Sequence, residues 1–143
     1  ICYALLAEGA DEIRLVNRTR AHAEAIADEL GGPISVLSWE ERHDALEGAA
    51  MLVNTTSQGM VGMAALDLTL DALPVAALVS DIIYTPLETP LLAAARVRGH
   101  ATVNGLGMLL HQGKPAWRMW FGVEPEVTDQ LRQAMETSIL GNV

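Results

Sequence analysis

Glu12-Ile13-Arg14-Leu15-Val16-Asn17-Arg18-Thr19, running straight into Arg20–Leu30, is the stretch that decides the fold. Positions 13, 15 and 16 are apolar between polar neighbours, the period of a half-buried strand. Ala23, Ile26, Ala27 and Leu30 then recur on one face at helical spacing. A strand followed at once by a helix opens a crossover unit, and the unit repeats. Ile34-Ser35-Val36-Leu37 reads as a second strand, and Ser38 with Glu41 three residues on forms a capping box that predicts a helix over 39–46. Met51-Leu52-Val53-Asn54 is a third strand, apolar enough to be expected in the interior. Residues 78–83 and 101–103 are a fourth and a fifth. Between these two, a helix over 89–98 carries Pro90 in its first turn, where a missing N–H costs nothing.

Helices are also expected over 106–120 and 125–139, and residues 1–8 read as the tail of a helix closed by Gly9. Residues 58–73 are the least regular, with room for a short helix. Strands alternating with helices at this spacing mean right-handed crossovers: an α/β, doubly wound parallel sheet with helices on both faces. At 143 residues, half of them hydrophobic, the chain fits one domain with one core and excludes disorder. Val127, Leu131, Met135 and Ile139 form an apolar stripe in the tail, expected to pack on this domain or on one outside the chain.

A formal net charge of −9 argues against a nucleic-acid or anionic-membrane partner, since phosphate surfaces need clustered Lys and Arg. Here one lysine, Lys114, and eight arginines are scattered without a basic run. Any functional positive charge must act singly. The lone cysteine, Cys2, suits a reducing, cytoplasmic setting, and no Cys or His pair has metal-ligand spacing. No apolar run reaches membrane-helix length, and the start at Ile1 without a methionine reads as the inside of a longer protein.

In a doubly wound sheet ligands lie beyond the carboxyl ends of the strands. An NAD-binding domain places an acidic residue after its second strand; Asn17-Arg18-Thr19 stands there instead. A neutral amide does not repel a 2′-phosphate, Arg18 offers a planar fork of donors, and Thr19 sits at a helix N-terminus, which predicts NADP over NAD. Read alone, Asn17 and Thr19 are equally a turn and a helix cap. Asn54-Thr55-Thr56-Ser57 is a polar loop that can face a cofactor. Asp81-Ile82-Ile83-Tyr84 leads into a rigid turn, and the Tyr84 ring fits a core position as well as a ligand contact. Asn104-Gly105-Leu106-Gly107 lets backbone approach a ligand closely, with Gln112 about two turns into the helix that follows.

Taken in this order, these segments resemble shikimate dehydrogenases, over 1–127. The resemblance rests on Asn17-Arg18-Thr19 with Ala21, Ala23 and Ala27, on Asp81-Ile82-Ile83-Tyr84 with Thr89-Pro90-Leu91-Leu92, and most specifically on 104–112. It implies a Rossmann-like cofactor domain whose first strand and glycine-rich phosphate loop would precede Ile1. It also implies a separate N-terminal substrate domain carrying the catalytic lysine and aspartate, so that no residue of this chain is catalytic. Asn17, Arg18 and Thr19 would hold the NADP 2′-phosphate, with Thr56 and Ser57 as further cofactor contacts. Ile82 and Gly105 would line the nicotinamide, and Tyr84 and Gln112 would touch shikimate or 3-dehydroshikimate. His22 stands where the family often has a second basic residue, so phosphate binding there needs a protonated imidazole. Lys114-Pro115 falls inside a helix that the family commonly leaves unbroken, which puts the path after Gln112 in question. A quinate or quinate/shikimate dehydrogenase, a nucleotide-binding module without catalysis, and a homodimer all remain open.

Overall fold

The computed structural model describes residues 1–141. Helix α1 (Cys2–Ala7) is followed by β1 (Ile13–Val16), α2 (Arg20–Leu30), β2 (Ile34–Leu37), β3 (Met51–Asn54), β4 (Leu78–Asp81), α3 (Pro90–Val97), β5 (Ala101–Val103), α4 (Leu106–Phe121) and α5 (Asp129–Leu140). All pairing is parallel, and the α/β, Rossmann-like class expected from the sequence holds. The sheet is divided, however. β1 pairs only with β2, while β3, β4 and β5 form a separate three-stranded sheet in that order. β1 and β3 therefore each keep an unpaired edge among the described residues, the opening expected of a doubly wound sheet that lacks its first strand.

Three local expectations are corrected. Residues 39–46 form two single 3₁₀ turns, Glu40–Arg42 and Asp44–Leu46, rather than an α-helix. Half of the capping box is present, since the Ser38 N–H donates to the Glu41 carboxylate at 2.8 Å, but the Ser38 hydroxyl caps nothing. The Arg42 guanidinium takes the Trp39 carbonyl that a helix would have used, at 2.9 Å, and reaches on to the Asp67 carbonyl at 2.7 Å. Residues 58–73 contain turns but no helix; Gly59, at φ 102°, closes a loop by donating to the Ala64 carbonyl. β3 is not an interior strand, because Met51 is exposed and Leu52 and Val53 are half-buried.

The helices otherwise follow from their ends. Thr89 caps α3, its hydroxyl accepting from the Leu92 N–H with Pro90 at the first position. Thr128 caps α5 in the same way, so that helix starts at Asp129 rather than 125. α4 passes through Pro115 unbroken; only the bond to the His111 carbonyl is lost, and His111 is exposed to water that can replace it.

The core lies in one half of the molecule. Leu91, Leu92 and Ala95 of α3 pack with Val79 of β4, Leu73 and Leu46. α2 buries only Ala23, and β1 and β2 bury no residue. α5 buries none, although Met135 and Ile139 are half-covered, so the tail stripe packs only partly. The last turns of α4 expose Trp117, Met119, Trp120 and Phe121.

Candidate functional site

Parallel pairing brings the carboxyl ends of β3, β4 and β5 to one edge. Asn54 stands directly opposite Asp81, and Ser80 opposite Val103. The chain then bonds across the edge as it leaves the strands. The Ile82 N–H donates to the Asn54 carbonyl at 3.1 Å, and the Gly105 N–H to the Ile83 carbonyl at 2.9 Å. Ile82 and Gly105 are thereby brought together. A Cβ at position 105 would stand 1.8 Å from the Ile82 carbonyl oxygen, so only glycine lets the β5–α4 turn sit against the end of β4. Asn104 fixes the same turn, donating to the Leu87 carbonyl at 3.2 Å and accepting from the Leu106 N–H at 3.3 Å.

A buried polar network holds this edge, and the sequence did not disclose it. Asp81, with no exposed surface, accepts from the Asn54 amide at 3.2 Å, the Ile83 N–H at 3.1 Å and the Thr89 hydroxyl at 2.7 Å. Asn54 in turn accepts from both the N–H and the hydroxyl of Thr56, at 3.0 and 2.8 Å. Thr56 and Ser57 are exposed on the loop these bonds define; Tyr84 is 38% exposed, and Gln112 is exposed on α4. Thr89-Pro90 signalled a helix start, but nothing local to Asp81 marks it as the acceptor for groups 2, 8 and 27 residues away.

Asn17, Arg18 and Thr19 lie apart from these residues, beyond the end of β1. Asn17 Oδ1 accepts from the Thr19 N–H at 2.9 Å, which shapes the turn and leaves the Asn17 NH₂ free to donate. No side-chain cap hydrogen bond closes the start of α2, where the His22 N–H donates to the Thr19 carbonyl at 3.0 Å and Thr19 and Arg20 are exposed. Eight of the nine Lys and Arg side chains lie within 3.4 Å of a carboxylate. Arg18, the ninth, is exposed and has no carboxylate partner among the described residues. An unneutralised guanidinium beside an uncapped helix N-terminus is a place for an anion. His22, one turn further on, is exposed at the same end of α2.

Among the described residues no group of His, Cys, Asp and Glu could hold a metal, and no helix is long and apolar enough to cross a membrane. Two charged groups have carboxyls held below the ordinary glutamate range. Glu41 is lowered first by the Ser38 N–H and further by Arg20, and Glu124 by hydrogen bonding and attraction to Lys114, then by Arg118.

Residues 105–136 match the family described as "Shikimate 5'-dehydrogenase C-terminal domain". A relative from Paramagnetospirillum magneticum named shikimate dehydrogenase (NADP(+)) is 55% identical over 90% of this chain and 47% of its own length. A relative of the same name from Rhodospirillum rubrum is 55% identical over 94% of this chain and 49% of its own length. The chain thus spans about half the length of the curated relatives it matches. Among solved structures, a quinate dehydrogenase from Corynebacterium glutamicum in complex with NAD has a TM-score of 0.83 at 28% identity, covering 97% of this chain and 49% of its own. Shikimate 5-dehydrogenase from Thermus thermophilus, in complex with NADP(H) and shikimate, has a TM-score of 0.71 at 30% identity over 96% and 49%. With sequence and strand-end geometry in agreement, the chain belongs to the shikimate dehydrogenase family.

Proposed function

We propose that this chain is the NADP-binding part of an enzyme that reversibly reduces the 3-keto group of 3-dehydroshikimate to shikimate. The observation that carries it is Arg18, the one cation without a carboxylate partner among the described residues, beside the uncapped start of α2. A ribose 2′-phosphate fits that place. Arg18 gives it a charged fork, Asn17 its free NH₂, and Thr19 a hydroxyl and the helix end. The names of the relatives point to the same cofactor.

Bound NADPH would supply the hydride. In the proposal Thr56 and Ser57 contact the cofactor, while Ile82 and Gly105 form the wall against which the nicotinamide lies. That wall can be flat because position 105 has no Cβ. Tyr84 and Gln112 would meet the substrate hydroxyls. Proton transfer would belong to a lysine and an aspartate in the remaining half of the protein, an N-terminal substrate domain. This half orients the ring over the reacting carbon. A cytoplasmic setting suits the lone Cys2, and a homodimer would be read by light scattering.

The test is steady-state reduction of 3-dehydroshikimate by the full-length protein with NADPH and with NADH. Arg18→Ala is expected to raise KM for NADPH about tenfold to a hundredfold, the worth of a charge-assisted fork, with little change for NADH. Absence of NADPH-dependent reduction by the wild type would sink the proposal. Quinate dehydrogenation is a second reading, favoured by the TM-score of 0.83 to the quinate dehydrogenase; a profile of quinate against shikimate separates the two.

A further inference from the structure

We propose that Asp81 is a positioning residue. Acting through Asn54, it turns the Thr56 hydroxyl so that its oxygen faces the ligand as an acceptor for a cofactor hydroxyl or amide. This rests on the reading of the 54–57 loop as part of the cofactor site.

The argument follows hydrogen-bond polarity. Asp81 lies fully buried with no cationic partner among the described residues, and each of its contacts comes from a donor. Oδ1 accepts from the Asn54 amide and the Ile83 N–H, and Oδ2 accepts from the Thr89 hydroxyl. A carboxylate is an acceptor only, so the end of Asn54 that faces it must be the NH₂. The same NH₂ also donates to the Gln58 carbonyl at 3.3 Å. Asn54 Oδ1 is then forced to the other side, where it meets the Thr56 N–H at 3.0 Å and the Thr56 hydroxyl at 2.8 Å. The single proton of that hydroxyl is spent inward on Asn54. Of the oxygen's two lone pairs, one accepts from the Gln58 N–H at 3.1 Å. The other remains, on an exposed residue at the strand-end edge. Thr56 can therefore receive a hydrogen bond from a ribose hydroxyl or a carboxamide NH₂, and it cannot give one to a phosphate oxygen. This separates its role from that of Arg18.

Asp81→Asn breaks the polarity with little change of shape. If the new amide keeps its oxygen on Asn54 and Ile83, its NH₂ faces the Thr89 hydroxyl, whose proton loses its acceptor. If it flips, its NH₂ opposes two donors, and Asn54 is pushed to turn over. Only the flipped amide takes the acceptor from Asn54, so Asp81→Leu, which offers no oxygen at all, is the variant that removes the imposed direction of the Asn54–Thr56 relay.

The experiment is a double-mutant cycle on the full-length protein, read by equilibrium binding of NADP⁺ and by the split between KM and kcat. Thr56→Val should weaken NADP⁺ binding about tenfold, the worth of one ligand hydrogen bond in a site that orders its donors and acceptors. Asp81→Leu should weaken it by a similar factor, and the double variant should be no weaker than either single one. Thr89→Val, which removes a different donor to Asp81 but leaves the relay, should lower Tm while leaving NADP⁺ affinity unchanged. Thr56→Ser, which keeps the hydroxyl, should retain wild-type binding. Additive losses in the double variant, or an Asp81→Leu protein with lowered Tm and unchanged affinity, overturn the relay. If the wild-type protein binds no NADP⁺ at all, the cofactor reading fails first and takes the relay with it.

Discussion

The β3–β5 half and the β1–β2 half are made of the same parts, parallel strands with one flanking helix, yet only the first has an interior. β4 has a neighbour on each side, and its Val79 and Asp81 have no exposed surface. α3 covers it with Leu91, Leu92 and Ala95. In the other half both strands are edges, no strand residue is buried, and α2 contributes Ala23 alone. Among the described residues the two-stranded sheet has no central strand, the place the first strand expected ahead of Ile1 would take, so its backbone and its apolar side chains stay half-wet. The lesson bears on the site. Nicotinamide-side candidates stand on the half with a core, and the phosphate-side candidates Asn17, Arg18 and Thr19 stand on the half without one.

Substituting glycine in each half gives the sharpest test. Gly105→Ala would drive a Cβ into the Ile82 carbonyl, 1.8 Å away, and neither backbone can yield without moving the strand-end wall. A displacement of about 1 Å at a reacting ring costs on the order of 10²-fold in rate, so turnover of the full-length enzyme should fall by at least that factor. Gly31→Ala, at the end of α2, has nothing within 4 Å and only a φ of 65° to strain. With ψ at −164° the backbone is in a region almost confined to glycine, so the substitution should cost about 1–3 kcal/mol of stability and leave the rate per folded molecule unchanged. Comparable rates in the two variants would break the contrast.

Side-chain truncation comes next in size. Leu92→Ala removes a side chain only 2% exposed from the middle of the core, and should cost about 3 kcal/mol in urea unfolding of the full-length protein. Leu15→Ala, half-buried on β1 among the described residues, should cost about 1 kcal/mol unless the first strand expected ahead of Ile1 covers it. A Leu15 loss equal to that of Leu92 would show that something outside this chain closes over β1, and would move the boundary between the halves.

Much of this was legible beforehand where the signal is local. β2, β3, β5 and α2 fall on the residues that periodicity marks, because each is bounded by its own punctuation: Gly31-Gly32-Pro33 before β2, Thr19 before α2, Gly99 before β5. The strand-end residues were legible as a class because parallel topology decides where they go. What stayed hidden depends on distant partners. The 39–46 segment carries a valid capping box, yet Arg42 satisfies the Trp39 carbonyl from its side chain while reaching to Asp67. Asp81 reads as one more strand-end polar residue until Asn54 and Thr89 are folded against it. Gly105 announced a close approach, and only the structure shows that the approach is to Ile82.

The smallest expected effect lies in acid, where the halves hold one depressed glutamate each. Glu41, following β2, is lowered chiefly by the Ser38 N–H; Glu124, after α4, chiefly by Lys114. A carboxyl whose folded value is lowered contributes stability above its ordinary range, and that contribution is lost as pH falls through the folded value. Both contacts should therefore fade only below the normal glutamate range, and both groups are exposed enough that global stability will barely register it. The local consequences differ. Glu41 is the acceptor for a backbone amide, so acidification should speed hydrogen exchange at Ser38 beyond the intrinsic pH effect, in the half that has no core to hold it. Glu124 ties two side chains, and the α4 amides keep their helical bonds whether or not it is charged. Glu41→Gln retains an acceptor without titrating and should make Ser38 exchange independent of this step. Equal acid sensitivity at Ser38 and along α4 would mean that the β1–β2 half is no looser than the helix beside it, and that the contrast in burial has no counterpart in dynamics.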